Sequence, residues 1–434
     1  MDRINEVVTV HPLREALLHE AHARPFESLS SPLRVSHLVI QTGTSKRQEE
    51  VAHMAALSQH FDRAEPSEEA AHFILEAPDF RLRWERHTEF STYTIFANGA
   101  EEWPFSNPAI ALLPVDWLGQ LPGELLSAMH VTLLSGDVFD QSGTVLTDIL
   151  QPESLAGSYA AGGAARVWTD FIADEQGYLR FLVANDGLTA QQAGRLVQRL
   201  LEVETYRFMA LLGFPLAREL GPDVTAMERE LGALMDRLAT VSELSEERDL
   251  LAALSQLSAR VERLMAKTNF RFSATAAYGT LVRRRLNALR EQRIEGLSTL
   301  DEFMERRLAP ALDTCVHMGE RLERVSRRLS RAANLLRTRV DVALEAQNRD
   351  LLDSMNRRAR LQLRLQQTVE GLSVVVMSYY TVSLIGYALR GAGSAGWVVS
   401  PEVLTALSIP VVIAGIAIGV RVLRRRATRS DETG

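Results

Sequence analysis

Two periods of apolar and polar residues divide this chain, and a third regime, apolar throughout, closes it. Over residues 33–41 (LRVSHLVIQ), 72–76 (HFILE), 80–85 (FRLRWE) and 89–96 (EFSTYTIF), β-branched and aromatic residues run together or alternate with polar ones. That pattern predicts strands, the alternating pair half-buried and antiparallel. Residues 129–135 (MHVTLLS), 165–172 and 178–184 (YLRFLVA) predict three more, with glycines Gly157, Gly162 and Gly163 around a hairpin and a turn at 174–177. Helical spacing appears at 11–22 (HPLREALLHEAH), at 45–61 and at 189–212, where Gly213 and Pro215 predict a stop. Three prolines between 103 and 121 predict irregular chain there.

After Gly221-Pro222 the apolar period becomes heptad-like. Leu231, Leu234, Leu238 and Val241 step by three and four residues, as do Leu250, Leu254, Leu257, Val261 and Leu264, and then Leu322, Val325, Leu329, Ala332 and Leu336. This is coiled-coil spacing. The less polar stretch 268–279 (TNFRFSATAAYG) predicts a hinge, Thr299 with Glu302 a capping box, and Pro310 a kink. No proline follows between Ala311 and Leu389, so one helix of 79 residues is expected, on the order of 120 Å long at 1.5 Å per residue. Its last part, Leu372–Leu389, and a second run, Val403–Val420, contain no charged residue. Each is about long enough to cross a bilayer, which takes roughly 17–25 apolar residues. The pattern therefore predicts an α+β cytoplasmic head over residues 1–220, a coiled-coil-like helical stalk over 221–370, a transmembrane hairpin over 371–423 and a tail over 424–434.

Charge adds an orientation. Arg357, Arg358, Arg360 and Arg364 precede the first apolar run, and Arg421, Arg424, Arg425, Arg426 and Arg429 follow the second; the connection between them holds only Arg390. Positive residues near span ends stay cytoplasmic, so both termini are expected on the cytoplasmic side of a bacterial inner membrane. Residues 1–259 carry 19 Lys+Arg against 38 Asp+Glu, whereas residues 260–370 carry 23 against 14. A basic stalk beneath an acidic head can attract the head of another subunit or anionic lipid headgroups, which points to a homo-oligomer on a lipid bilayer. Cys315 is the only cysteine, which excludes an internal disulfide and fits a reducing compartment. The N-terminal residues carry no basic segment followed by an apolar core, so no secretory signal is expected.

Several runs together carry a family resemblance: HPLREALLHEAHARPF, RWERHTEFSTY, LVQRLLEVETYRFMALLG, RRRLNALREQRIEGLSTLDEFMERRLAPALDTC and LQQTVEGLSVVVMSYY. They resemble the bacterial family defined by domain of unknown function 3422 over nearly the whole chain. That resemblance implies no particular activity. The layout, a head, a long helix and two C-terminal spans, is also similar to CorA-type magnesium channels, which implies a possible cation as passenger. Those channels end their first span in a Gly-Met-Asn signature, where this chain reads GYALRG at Gly386–Gly391.

The candidate chemistry is sparse. Ser373, Tyr380, Ser383 and Tyr387 place four hydroxyls on one face of the first apolar run, able to line a pore or to bond a neighbouring helix. Gly415 and Gly419 have the small-xxx-small spacing that lets helices approach. His19 and His22, three residues apart, with His87 from the strand region, form a candidate metal set; the zinc-protease motif itself fails because position 23 is Ala. Glu85, Arg86, His87 and Glu89 cluster around one β-turn, and Glu202, Glu204, Tyr206 and Arg207 share one helix; both groups are expected to be structural. Gly157–Gly163 lacks the lysine and helix of a phosphate loop, so no nucleotide cofactor is expected. Apolar heptad positions interleave the arginine-rich segments, which reads as the polar faces of helices and not as a nucleic-acid surface. No catalytic residue is expected.

Overall fold

The computed structural model describes residues 11–14, 27–43, 45–99, 103–138, 145–394 and 400–430. They form two compact units, Met1–Thr240 with Ala252–Ala333, and Val241–Leu251 with Asn334–Gly434.

The first unit is built on one nine-stranded sheet. Its strands are β1 (Leu33–Gln41), β2 (His72–Glu76), β3 (Arg81–Arg86), β4 (Phe90–Asn98), β5 (Glu124–Ser135), β6 (Ala156–Ala160), β7 (Ala165–Thr169), β8 (Leu179–Asn185) and β9 (Gln292–Arg293). They lie in the order β2-β3-β4-β1-β5-β8-β7-β6-β9. Every pairing is antiparallel except that of β5 with β8. The helices that cover the sheet are α1 (Arg47–His60), the short α2 (Val115–Leu118) and α3 (Val145–Ile149), and α4 (Ala190–Leu211). Helix α4 opens on a capping box formed by Thr189 and Gln192.

Period-two alternation sends the two faces of β1, β3 and β4 into different cores. Leu38, Ile40, Leu82, Trp84, Tyr93 and Ile95 pack with Val51, Met54 and Leu57 of α1. Leu33, Val35 and Phe96 turn the other way, toward Leu196, Val197, Leu200 and Leu201 of α4. The alternating segments expected to be half-buried are thus covered on both sides, and the polar residues of β3 and β4 face α4 in place of water.

Beyond α4 the chain stays helical: α5 (Gly213–Thr240), α6 (Leu244–Leu289), α7 (Leu300–Arg307), α8 (Ala309–Ser394) and α9 (Pro401–Ser430). Four expectations are corrected here. Gly213 starts α5 and does not cap α4, and Gly221-Pro222 lies within α5. Ala217, Leu220, Val224 and Met227 continue one buried stripe across that dipeptide, so packing outweighs the hydrogen bond lost at proline. The proposed hinge at 268–279 is continuous helix inside α6. Near Pro310 the helix breaks two residues earlier, at Leu308, so proline occupies the first turn of α8, where its missing N–H costs nothing. The capping box at Thr299 and Glu302 is present at the start of α7.

Helices α5 and α7, α6 from Ala252 and α8 as far as Ala333 belong to the first unit. Val282, Leu286, Leu289, Leu300, Met304 and Leu308 join the cluster beneath α4. Strand β9 extends the sheet edge at β6, where Glu291 accepts hydrogen bonds from Ser158 Oγ at 2.6 Å and from the N–H groups of Leu300 and Asp301 at 3.2 and 3.0 Å. The heptad residues Leu231, Leu234, Leu254, Leu257, Val261, Leu322, Val325 and Leu329 are buried, and Arg321 links α8 to α5 through Glu228 at 2.6 Å.

In the second unit, Leu250, Leu336 and Val340 are buried, and Arg339 bonds Glu247 at 2.9 Å. The apolar parts of α8 and α9 are long and apolar enough to cross a membrane, by length and composition. They meet at small residues: Ser378 is buried, and a Cβ on Gly386 would come within 3.4 Å of Thr405.

Candidate functional site

The polar residues of β1, β3 and β4 that face α4 line a half-open cavity of about 250 Å³. His37 stands on β1, Arg83 and Glu85 two apart on β3, and Phe90 and Thr92 two apart on β4, because alternate residues of a strand share a face. From above come Gln198, Leu201, Glu202, Thr205 and Tyr206, one to two turns apart along α4, and Arg285 from α6. The two runs expected to be separate structural clusters, RWERH and EVETY, therefore share one cavity.

His37 ties the floor to the roof. Its Nδ1 lies 2.8 Å from Thr94 Oγ1 and its Nε2 3.1 Å from Thr205 Oγ1, and the Thr205 hydroxyl donates to Leu201 O at 2.8 Å. With the single Thr205 proton so placed, His37 Nε2 carries hydrogen and donates, while Nδ1 accepts from Thr94. Burial first, then Arg83 and His87 nearby, hold its pKa down at about 3. His37 is a neutral strut with both nitrogens used.

The charged lining comes as two pairs. Arg83 Nε approaches Glu85 Oε2 at 3.3 Å, with side chains only 9% and 11% exposed. That contact lacks hydrogen-bond geometry, and Arg83 Nε has no acceptor among the described residues. The guanidinium also lies 5.7 Å over the Phe96 ring. Opposite, Arg285 pairs with Glu202, which further accepts from Gln198 Nε2 at 3.0 Å; Gln198 Oε1 is buried and receives no donor among the described residues. Phe90, Leu201 and Tyr206 supply an apolar wall.

A second hollow of about 450 Å³ adjoins the first and shares His87, Phe90 and Tyr206 with it. Its edge is fixed by Glu89, which accepts from Tyr278 OH at 3.0 Å and pairs with Arg271, both on α6. Burial and the Glu89 carboxylate push the Tyr278 pKa upward. Tyr206 stacks on Tyr278 with ring centroids 5.9 Å apart. Just beyond, Glu50 is fully buried and accepts from Arg86 Nε at 2.9 Å and Ser91 Oγ at 2.7 Å. Glu204 and Arg207 pair with each other beside the cavity and do not line it.

Of the remaining candidates only His87 lines the cavity. His19 and His22 lie outside the described residues. His87 stacks on Phe90 at 4.4 Å, and no cluster of three metal-binding side chains exists among the described residues. On α8, Ser373 Oγ donates to Val369 O of its own helix at 2.9 Å, Tyr380 and Tyr387 are 64% and 69% exposed, and Ser383 is half-buried. Nothing lies within 4 Å of a Cβ built on Gly415 or Gly419; the close approach of α8 and α9 is at Gly386.

The family description "Protein of unknown function (DUF3422)" matches residues 9–427. The chain belongs to the DUF3422 family. No curated protein and no solved structure matches it. In this DUF3422 protein sequence reasoning missed Arg83, Arg285, Gln198 and His37 as cavity residues. Their signal was faint: polar side chains on the shared face of β1 and β3, and one arginine among three at 283–285.

Proposed function

We propose that this DUF3422 protein is a membrane-anchored, self-associating scaffold or interaction module, held by the hairpin of α8 and α9 with both termini cytoplasmic. The observation that supports it is an uncovered seam on α8. Leu344, Asn348, Leu351, Met355, Arg358, Gln362, Leu365, Val369 and Leu372 follow one another by alternating steps of four and three. Leu351, Met355, Leu365, Val369 and Leu372 are 56–68% exposed. Copies inserted in one orientation run parallel, so this seam meets itself in register, and Asn348 and Gln362 within it fix the alignment. The occupant is a second copy of the same helix.

Cysteine cross-linking of full-length protein in native membranes tests this. Leu351→Cys and Leu365→Cys are expected to form intermolecular disulfides, and Asp353→Cys, on the opposite face, is not. Equal cross-linking at all three, or recovery of the protein in the supernatant after carbonate extraction, would end the reading. A second reading, a cation channel of CorA-like plan, draws on the exposed Tyr380 and Tyr387 beside Ser373 and Ser383. It requires cation flux in liposomes that falls in the combined Tyr380→Phe, Ser383→Ala variant; the scaffold reading expects none.

A further inference from the structure

The cavity beneath α4 combines features that the oligomer reading leaves without a purpose. Burying an arginine is costly unless its donors are used. Arg83, nine-tenths buried, has one contact to Glu85 outside hydrogen-bond geometry and no acceptor among the described residues for Nε. Gln198 Oε1 is a buried acceptor with no donor among the described residues. Both residues line the same half-open cavity. At roughly 30 Å³ per water, its 250 Å³ would hold on the order of eight waters or one small solute.

Charge balance selects the solute. Besides two histidines, His37 locked neutral by its two hydroxyl partners and His87 stacked on Phe90, the lining contains two guanidinium groups, Arg83 and Arg285, and two carboxylates, Glu85 and Glu202. An anion alone would meet two carboxylates, and a cation alone would meet two guanidinium groups, where charges are screened less than in bulk water. A solute with both signs can exchange partners with the Arg83–Glu85 pair and leave no charge unmatched. A planar carboxylate also fits the guanidinium fork, which offers two parallel donors.

We propose that this cavity is a binding site for a small zwitterion of the α-amino-acid type. Its carboxylate bonds Arg83, its ammonium lies between Glu85 and Glu202 with Gln198 Oε1 as a further acceptor, and its side chain rests on Phe90, Leu201 and Tyr206. The proposal is independent of the oligomeric state.

Calorimetric titration of the full-length protein in detergent provides the test, first with the common α-amino acids, then with leucine and phenylalanine beside their single-charge analogues. 4-Methylpentanoate and 3-phenylpropanoate lack the ammonium; 3-methylbutylamine and 2-phenylethylamine lack the carboxylate. Saturable binding of at least one amino acid is expected, with each single-charge analogue at least about tenfold weaker, as loss of a charged hydrogen bond implies. Arg83→Lys keeps the charge but not the fork and is expected to weaken binding by about tenfold or more. Glu202→Gln, which takes one of the two carboxylates from the ammonium at a side chain 21% exposed, is expected to weaken binding while the protein still folds, which keeps the test decisive if Arg83→Lys fails to fold. Absence of saturable binding across the whole panel, equal binding of a single-charge analogue, or undiminished binding by Glu202→Gln would overturn the proposal.

Discussion

His37 shows how one side chain couples the head to proton concentration. Two threonine hydroxyls saturate its ring, so the folded protein has no place for a second ring proton, and its pKa stays at about 3 against the ordinary 6.5. Between those values the unfolded chain binds the proton and the folded chain does not. Its contribution to stability is therefore complete above about pH 6.5 and is lost as pH falls, by about 1.4 kcal/mol per unit. His130, stacked on Tyr178 and bonded to Ser36 Oγ at 2.9 Å, is held at about 4 by burial and pulls the same way. Urea unfolding followed by the fluorescence of buried Trp84 is expected to show stability falling from pH 7 to pH 5. His37→Gln is expected to flatten that dependence by close to one proton's slope while lowering stability at pH 7. A slope unchanged in the variant would contradict the assignment of His37 as a neutral strut.

Among the elements, α4 is the one on which the core around Leu33, Val35 and Phe96 and the cavity depend, and its fit is set at Gly194. A Cβ there would lie 1.7 Å from the Glu27 carbonyl oxygen, a backbone atom that cannot swing aside. Gly194→Ala would gain up to about 1 kcal/mol in helix propensity, yet overpacking is expected to cost more, about 1–3 kcal/mol. Thermal melting checks the sign: a stabilised variant would show that α4 shifts freely over the sheet. Much of this architecture was legible in the sequence. The strands at 33–41 and 72–76, helix α4 and the apolar C-terminal helices follow their predicted bounds closely, because long runs of one period leave little choice. What the period could not tell was what covers a face. The alternation in FRLRWE and EFSTYTIF marked Arg83, Glu85, Thr92 and Thr94 as sharing a side, but whether water or α4 stood opposite depended on a helix about a hundred residues away in sequence. Strand β9 is two polar residues long and carries no periodic signal. Gly221-Pro222 suggested a boundary by local propensity, which the buried stripe on both sides of it overrides.

For the whole molecule, the dependence of the sheet on late residues matters most. A head ending at residue 220 would lack β9, leaving the edge of β6 open, and would lack Val282, Leu286, Leu289, Leu300, Met304 and Leu308 from the core beneath α4. A fragment of residues 1–220 is expected to aggregate or to melt without a cooperative transition, whereas a fragment of residues 1–340 melts cooperatively; circular dichroism of the two distinguishes the outcomes. Exposed strand edges and uncovered apolar faces are the features that make such intermediates associate. The two residues of β9 thereby act as a clock during translation. At about 5–20 residues per second, the ribosome has spent many seconds on strands and on α4 before it delivers Gln292 and Arg293, and the chain must wait half-closed for them. Roughly 4–16 seconds later at the same rate the apolar run from Leu372 follows, so the sheet closes before that run is delivered.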